Sequence, residues 1–215
     1  MEFTYGTPIE VKRWDIINHL IEKNNLVNYL EIGVNDGECI RKIKAIHKDG
    51  VDPYPASEVG GNIVVPEINY PISSDSFFEL IKGSDIKYDI IFIDGLHHSE
   101  QVNKDINNSL NHLVDDGFIV LHDLNPIEEI HSLVPRVSGT WNGDCYKSAI
   151  NIRVNHPELQ LTTIHTDWGI GILQKLHSRT YDKDRYENCI KWEYFNQNRV
   201  ELLNLISTEE FFKTF

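Results

Sequence analysis

The sequence predicts an α/β fold, with a mostly parallel sheet and helices on both of its faces. Short apolar segments alternate along the chain with segments whose apolar residues recur at helical spacing. The segment Tyr88–Asp94 has consecutive apolar positions, which is typical of a strand buried on both faces of a parallel sheet. Acidic residues or glycines follow several of the predicted strands. Since ligands of open α/β sheets bind at the carboxyl ends of the strands, these residues predict one ligand site.

Length and composition favour a single domain over residues 1–215, with a helical cover at 1–25 and a helical extension at 180–215. The chain has 40% hydrophobic and 25% charged residues, which is ordinary for a soluble protein. No apolar segment approaches the roughly 20 residues of a membrane helix, and the first residues lack a signal-peptide pattern. Three widely separated cysteines favour reduced thiols over disulfides or a zinc site. We therefore expect a cytoplasmic protein without a membrane partner.

The net charge of the chain disfavours one class of partner in particular. The formal net charge is -13. A field of this sign repels nucleic-acid backbones and anionic membrane surfaces. The sequence therefore disfavours nucleic acid as a partner or substrate.

The segment Tyr29–Gly37 is predicted to be the first strand, running into a glycine loop that opens a helix. Its pattern is an acid at Glu31, followed by Gly33, Asn35 and Gly37. Glycine suits backbone that comes close to a ligand or needs a positive φ. The pattern differs from the G-x-G-x-x-G of dinucleotide sites, which disfavours a nicotinamide-dependent oxidoreductase. A plain turn is the alternative interpretation.

Two further strand ends supply candidate ligand-binding residues. Asp52 lies about 20 residues after the start of the glycine loop, where an acid binds ribose hydroxyls in nucleotide-binding folds. Ile68–Ser73 is predicted to be a strand, and Ser74, Asp75 and Ser76 form its exit. In one interpretation Asp75 caps the next helix, and in the other it accepts a hydrogen bond from the exocyclic amine of a bound nucleotide base.

The other elements follow from hydrophobic periodicity and turn residues. The tail beyond residue 181 is predicted to form two short helices, and residues 128–137 a helix or a partly mobile segment. The remaining predicted helices are 8–24, 39–46, 77–82, 103–113 and 145–154, and the remaining strands are 63–65, 118–121, 159–164 and 169–173.

Two sequence segments carry a resemblance to a known family. I-D-G-L-H-H-S-E-Q-V-N-K-D-I and L-V-D-D-G-F-I-V-L-H-D resemble the D-G-x-H-x-x-E-x-V-x-x-D and G-G-x-I-V-x-H-D signatures of methyltransferase family 24. These enzymes use S-adenosylmethionine (SAM). The resemblance covers residues 27–126, and W-N-G-D-C-Y-K-S-A-I and H-T-D-W-G-I-G-I-L are similar to the back half of the family. Leu96 and Ser99 depart from the pattern, where an acid and an aromatic residue are common.

The resemblance implies a Rossmann-like class I methyltransferase sheet of seven strands, mostly parallel, with the last one antiparallel. It also implies an O-methyltransferase of glycan biosynthesis that acts on a hydroxyl of a sugar, a nucleotide-linked sugar or a glycan. A non-catalytic SAM-binding protein is the main alternative. The implied SAM-binding residues are Glu31, Gly33, Asn35, Gly37, Asp52, Ser74, Asp75, Ser76 and Asp94.

The methyl acceptor needs a group that makes its hydroxyl nucleophilic, and two strand ends offer candidates. A hydroxyl is a poor nucleophile until its proton is removed, and histidine suits that task near neutral pH. Asp94, His97 and His122 are the candidate catalytic residues, with His97 preferred as the base over His122 and over His98. A divalent cation is the second option, since related enzymes hold one at the position of Asp94 and at the next strand end.

In this chain the candidate metal ligands are Asp94, His122 and Asp123. One nitrogen and two carboxylate ligands suit Mg²⁺ or Mn²⁺, and the nitrogen shifts the preference away from Mg²⁺. Trp141 and Asp144 are predicted to contact the small-molecule or sugar acceptor, with core packing as the alternative for Trp141. The oligomeric state stays open, and a homo-oligomer is compatible with the sequence.

Overall fold

The computed structural model describes residues 11–53, 65–178 and 186–215. A sheet of seven strands lies at its centre. The strands are β1 (Asn28–Ile32), β2 (His47–Val51), β3 (Tyr88–Ile93), β4 (Leu113–Leu121), β5 (Gln160–Ile164), β6 (Ile170–Gln174) and β7 (Leu205–Ile206). Their order in the sheet is β2-β1-β3-β4-β6-β5-β7.

The predicted fold class is confirmed, with one difference in the order of the strands. β6 pairs antiparallel with both of its neighbours, β4 and β5, and every other pairing in the sheet is parallel. The antiparallel strand is not the last one, because the two-residue strand β7 follows it and pairs parallel with β5.

The strand predicted at Ile68–Ser73 is wrong. Only Tyr70 forms an isolated bridge there, with Val51. Pro71 follows directly and has no N–H to continue a ladder, so the pairing stops after one residue. Of the strand predicted at 63–65, the first two residues lie outside the described part of the chain, and Val65 is not in a strand.

Helices cover both faces of the sheet, as predicted. The helices are α1 (Arg13–Asn24), α2 (Glu38–Lys42), α3 (Ser74–Ile81), α4 (Ser99–His112), α5 (Tyr146–Asn155), α6 (Tyr186–Cys189), α7 (Trp192–Leu202) and α8 (Thr208–Thr214). One face of the sheet packs against α3, α4, α5 and α7 and the other against α1, α2 and α8, and each layer has its own buried apolar cluster.

Long-range hydrogen bonds move several helix ends away from the predicted positions. The helix predicted to reach residue 46 ends at Lys42, because the side chain of Asn18 binds both the Lys42 carbonyl and the Lys44 N–H. α4 begins at Ser99, whose N–H donates to Asp144 Oδ1 at 2.6 Å. Neither contact is visible in the local sequence pattern.

Three smaller corrections concern α3, residues 128–137 and the tail. The cap of α3 is Ser73, whose hydroxyl accepts from the Ser76 N–H, so Asp75 is not the cap. Only a short 3-10 turn, Glu129–Ser132, forms in residues 128–137. The tail has the three helices α6, α7 and α8 in its described part. No helix in the described ranges is long and apolar enough to cross a membrane.

Candidate active site

The carboxyl ends of four strands are aligned at one edge of the sheet. Backbone hydrogen bonds fix this alignment: Gly33 N–H to Val51 O at 2.9 Å, Asp94 N–H to Ile32 O at 2.8 Å, and His122 N–H to Ile93 O at 3.2 Å. The polar residues that follow β1, β2, β3 and β4 therefore lie next to one another, as expected for a parallel sheet.

A cavity of about 830 Å³ opens at this edge. This volume lies in the range of about 300–1,000 Å³ that is usual for small-molecule sites. Of the predicted site residues, the cavity is lined by Glu31, Gly33, Asn35, Asp52, Ser74, Asp75, Asp94, His97, His122, Asp123 and Trp141.

Three predicted site residues lie outside the lining of the cavity. Gly37 precedes α2 with a φ of 80°. The Ser76 hydroxyl accepts a hydrogen bond from the hydroxyl of Ser73. Asp144 holds the first N–H of α4 and the ammonium of Lys147. Their predicted ligand contacts stay predictions.

Gly33 is required by a close approach between two strand ends. Its φ is +89°, and a Cβ placed there would lie 2.2 Å from the carbonyl oxygen of Asp94. Because that neighbour is backbone, the two strand ends would have to separate to admit any side chain. The glycine therefore lets β1 and β3 deliver their polar residues to the same point.

We expect Gly33→Ala to destabilise the protein by about 3 kcal/mol or more, through overpacking added to an unfavourable φ. The matched control is Gly83→Ala, because Gly83 has a φ of +75° but a Cβ added there would meet nothing within 4 Å. The control should lose only about 1 kcal/mol, the cost of the left-handed backbone. Urea denaturation measures both, and equal losses would show that the close approach is unimportant.

The loop after Gly33 is closed by Asp52. The Asn35 N–H donates to Asp52 Oδ2 at 2.7 Å, and Asn35 itself has a φ of 51°. The two residues thus join the ends of the neighbouring strands β1 and β2 in the wall of the cavity. This bond ties the glycine loop to the acid that was predicted to bind a ribose.

Glu31 lies at the base of the cavity beside Tyr29 and Cys39. The Tyr29 hydroxyl donates to Glu31 Oε2 at 2.5 Å. Burial raises the pKa of Glu31 to about 8, even though the hydrogen bond from Tyr29 opposes the rise. Glu31 is therefore mostly protonated at neutral pH.

Hydrogen-bond acceptors gather on the opposite side of the cavity, between α3 and α4. The Gln101 amide donates to Ser74 Oγ at 3.3 Å, to Asp75 Oδ1 at 3.0 Å and to Asp105 Oδ1 at 3.1 Å. Burial raises the pKa of Asp105 to about 6, against the effect of the hydrogen bonds from Ser74 and Gln101. Asp105 lines the cavity and was not among the predicted site residues.

We expect Asp105→Asn to stabilise the protein above pH 6. The folded-state pKa of about 6 lies above the ordinary value of 3.8, so the wild type loses stability as pH rises between these values. This difference in pKa makes the free energy of unfolding of the wild type lower than that of Asp105→Asn by about 3 kcal/mol at pH 8 and by roughly half of that at pH 5. Urea denaturation at both pH values measures the gap, with the exposed Asp116→Asn as control. A gap that does not widen with pH would contradict the expectation.

A cluster of acids and imidazoles occupies the ends of β3 and β4. His122 Nδ1 donates to Asp94 Oδ1 at 3.0 Å and lies 3.1 Å from Asp123 Oδ2. His97 Nε2 lies 3.4 Å from Asp94 Oδ1 and 3.2 Å from Asp123 Oδ2. Two carboxylate oxygens therefore lie between two imidazole rings.

Three neighbouring groups, the outer partners of the cluster, fix the orientation of Asp94, Asp123 and His97. Arg13 Nη1 donates to Asp94 Oδ2 at 2.5 Å, and Asn142 Nδ2 donates to Asp123 Oδ1 at 2.5 Å. His97 Nδ1 donates to the Trp141 carbonyl at 3.1 Å, and the two rings stack with their centroids 5.1 Å apart. The bond to a carbonyl requires a proton on Nδ1, so neutral His97 carries its lone pair on Nε2.

The electrostatics of the cluster separate the two histidines. Burial lowers the pKa of His122, but Asp123 and Asp94 outweigh it and raise the value to about 10. The pKa of His97 is also raised, because Asp94 and Asp123 outweigh burial. Burial acts to raise the pKa of Asp94, yet His122, His97 and Arg13 hold it well below its usual range. At neutral pH His122 is a buried cation without a free lone pair.

Three groups in the described residues could hold a metal ion together: Asp94, His97 and Asp123. One ligand atom from each lies within 4.8 Å of the others. This set differs from the predicted Asp94, His122 and Asp123, because His97 presents the nitrogen. The outer partners are of the kind that orient metal ligands, so the donor set fits a divalent cation.

Sequence reasoning missed three residues that shape the site: Arg13, Asn142 and Asp167. The Asp167 carboxylate accepts from the N–H and from Nε of Arg13, at 3.0 and 3.2 Å. Asn142 and Asp167 fall within W-N-G-D-C-Y-K-S-A-I and H-T-D-W-G-I-G-I-L, so the family resemblance marked their segments. Arg13 lies in neither segment, and no sequence signal indicated it.

One family model and several solved structures are similar to this chain. Residues 30–124 match the family model described as a methyltransferase domain, of methyltransferase family 24. This match confirms, over residues 30–124, the resemblance found in the sequence. No curated protein matches the chain.

Solved structures share the fold at low sequence identity. TomG, an O-methyltransferase from Streptomyces achromogenes in complex with SAM, has a TM-score of 0.54 at 11% identity, covering 78% of this chain and 82% of its own. The O-methyltransferase from Bacillus cereus in complex with SAH has a TM-score of 0.53 at 16% identity, covering 77% and 82%. SAH-bound PaMTH1 from Podospora anserina has a TM-score of 0.52 at 15% identity, covering 76% and 77%. At these identities the likeness concerns the fold.

Proposed function

We propose that this protein is a SAM-dependent O-methyltransferase that acts on a hydroxyl of a small molecule. One observation carries the proposal: the glycine loop, Asp52 and the Asp94–His97–Asp123 cluster line the same cavity. A methyl-donor site and a group able to activate an acceptor are thus adjacent. The methyltransferase domain over residues 30–124 supports the same conclusion.

The residues of the cavity suit SAM, which supplies an electrophilic methyl group when bound. Its hydrogen-bond donors are an ammonium, ribose hydroxyls and an exocyclic amine. Glu31 and Asp94 offer acceptors beside the glycine loop, Asp52 offers one at the end of β2, and Asp75 offers one at the start of α3. These acceptors match the three kinds of hydrogen-bond donor that such a molecule carries.

The chain itself must align the acceptor hydroxyl and prepare it for attack. Asp94 and Asp123 are held by Arg13 and Asn142, so their inner oxygens face the His97 ring. His97 Nε2 is the atom at which an acceptor proton is received when no cation is bound. His122 is already protonated and buried, so its role is to hold the two carboxylates.

A divalent cation fits the same three groups. Held by Asp94, His97 and Asp123, it would lower the pKa of the acceptor hydroxyl. We propose Mn²⁺ or Mg²⁺ for this site, with the imidazole nitrogen favouring Mn²⁺. His97 then acts as a ligand and not as a base.

The acceptor we propose is a hydroxyl with a second hydroxyl beside it, as in a sugar, a nucleotide-linked sugar or a glycan. Two carboxylates and an imidazole suit a diol, with or without a cation between them. Trp141 lines the same part of the cavity, but one face of its indole is stacked on His97. Its contribution to acceptor binding is therefore through the other face or the edge of the ring, or through the position of His97.

Calorimetric titration and methyl transfer test the proposed function. The protein should bind SAH and not NADH, which separates it from a nicotinamide-dependent oxidoreductase. With methyl-labelled SAM, label should transfer to at least one vicinal diol among UDP-glucose, methyl glucoside and catechol. Binding of SAH without transfer to any of them would favour a non-catalytic SAM-binding protein.

A further inference from the structure

Arg13 has hydrogen-bonding capacity that the described part of the protein leaves unused. A guanidinium has five N–H donors in a planar fork. Nε donates to Asp167 and Nη1 to Asp94, and Nη1 also lies 3.4 Å from His122 Nδ1. No acceptor among the described residues lies within hydrogen-bond distance of Nη2. Two N–H donors are thus left for a ligand.

The guanidinium is held in place from the protein side. The Arg13 backbone N–H also donates to Asp167, and Lys12 Nζ pairs with the same carboxylate at 3.4 Å. The Thr166 hydroxyl donates to the Val11 carbonyl at 2.5 Å. The start of α1 is therefore fixed, while the Arg13 side chain lines the cavity and stays 24% exposed.

Arg13 lies at the end of the cavity where the glycine loop begins. Its charge is close enough to Glu31 and Cys39 to lower the pKa of both, against the larger effect of burial. Asp94 is ionised and suits an ammonium, and Glu31 becomes a second acceptor once an adjacent positive charge lowers its pKa. The free N–H donors of Arg13 suit a carboxylate. Donor and acceptors side by side are complementary to the two charges of an α-amino acid.

The geometry points to Arg13 Nη2 as the donor that binds the α-carboxylate of the amino-acid portion of SAM. This inference rests on the proposed function, since it needs SAM in the cavity. A fixed guanidinium suits a carboxylate better than a lysine ammonium does, because its fork matches the two oxygens. Arg13 lies outside residues 30–124, so the family match does not include it.

Two ligands that differ at this end test the inference: SAH, which has the amino-acid portion, and 5′-methylthioadenosine, which lacks it. In Arg13→Gln, calorimetry should show SAH affinity lowered about 10- to 100-fold, the effect of one charge-assisted hydrogen bond. Affinity for 5′-methylthioadenosine should stay within about twofold. The matched control is Lys23→Gln, because Lys23 is on the same helix but is exposed and does not line the cavity. It should leave both affinities unchanged.

Equal losses for both ligands, or no loss for either, would overturn the inference. If Arg13→Gln does not fold, Arg13→Lys replaces it, with a smaller loss expected for SAH alone, because the positive charge stays but the planar fork is lost. A wild-type protein that binds neither ligand would refute the proposed function itself. The two failures are therefore distinguishable in one set of titrations.

Discussion

Asp94→Asn is expected to lower the rate of methyl transfer about 100-fold or more, the size of effect seen when one electrostatic group of an active site is removed. Asp94 is the centre of the cluster, since it accepts from Arg13 on one oxygen and from His122 on the other, which also lies 3.4 Å from His97 Nε2. An asparagine keeps the shape but cannot carry the charge that holds these three groups. The rate with UDP-glucose, methyl glucoside or catechol measures the loss.

The variant should also be less stable, because Arg13 and His122 keep their positive charges and lose their common partner. Removing one partner of a buried ion pair costs about 3–5 kcal/mol, and partial exposure of Arg13 reduces this. Rates are therefore compared per folded molecule, with the folded fraction taken from urea denaturation. A rate within a few fold of the wild-type rate would show that methyl transfer does not depend on Asp94.

Asp89→Asn is the matched control for this experiment. Asp89 is on the same strand, β3, but its carboxylate accepts the backbone N–H groups of Val27 and Asn28 at the far end of the sheet. We expect it to lower stability and leave the rate per folded molecule within about twofold. If Asp94→Asn and Asp89→Asn lower the rate per folded molecule by the same factor, the effect is one of folding and not of the site.

The sequence predicted those parts of the site that depend on local pattern. The glycine loop, Asp52, Asp94 and His97 each follow a strand, and parallel strands bring their carboxyl ends together by geometry alone. Gly33 shows how far this reasoning extends, because its pattern indicated a positive φ or a close approach to a ligand, and the φ is +89° while the close approach is to a neighbouring strand. The structure identifies the approaching group as the carbonyl of Asp94.

The groups that orient the side chains of the candidate site could not be predicted, because they come from distant parts of the chain. Arg13 reaches Asp94 across 81 positions and Asp167 across 154. Each has an ordinary residue type for its position, and no spacing relates them. Asp105 was missed for another reason: an acid on a helix is usually solvated, and only packing places this one in the cavity wall.

The choice between His97 and His122 also required the structure. Both follow buried strands, and the sequence preferred His97 only for its position. The hydrogen bond from His97 Nδ1 to the Trp141 carbonyl and the raised pKa of His122 distinguish them physically. The sequence assigned the metal nitrogen to His122, whereas the metal-compatible group contains His97.

Chelation is expected to lower the methyl-transfer rate about 100-fold or more, and added Mn²⁺ should restore it. The three inner atoms, one each from Asp94, His97 and Asp123, lie close together while outer partners hold their other atoms. In His97→Gln, Mn²⁺ affinity measured by electron paramagnetic resonance should fall at least about 10- to 100-fold, the loss seen when even an outer partner of a metal ligand is removed.

His98→Gln is the matched control, since His98 is the next residue and the same type but does not belong to the metal-compatible group. It should keep both the Mn²⁺ affinity and the rate. A different pattern of results would make His97 the base and not a metal ligand. In that pattern the wild type and His98→Gln stay active after exhaustive EDTA treatment, while His97→Gln is inactive. The two roles exclude each other, because the proton on Nδ1 leaves a single lone pair on Nε2. That lone pair either holds a cation or accepts the proton of the acceptor hydroxyl.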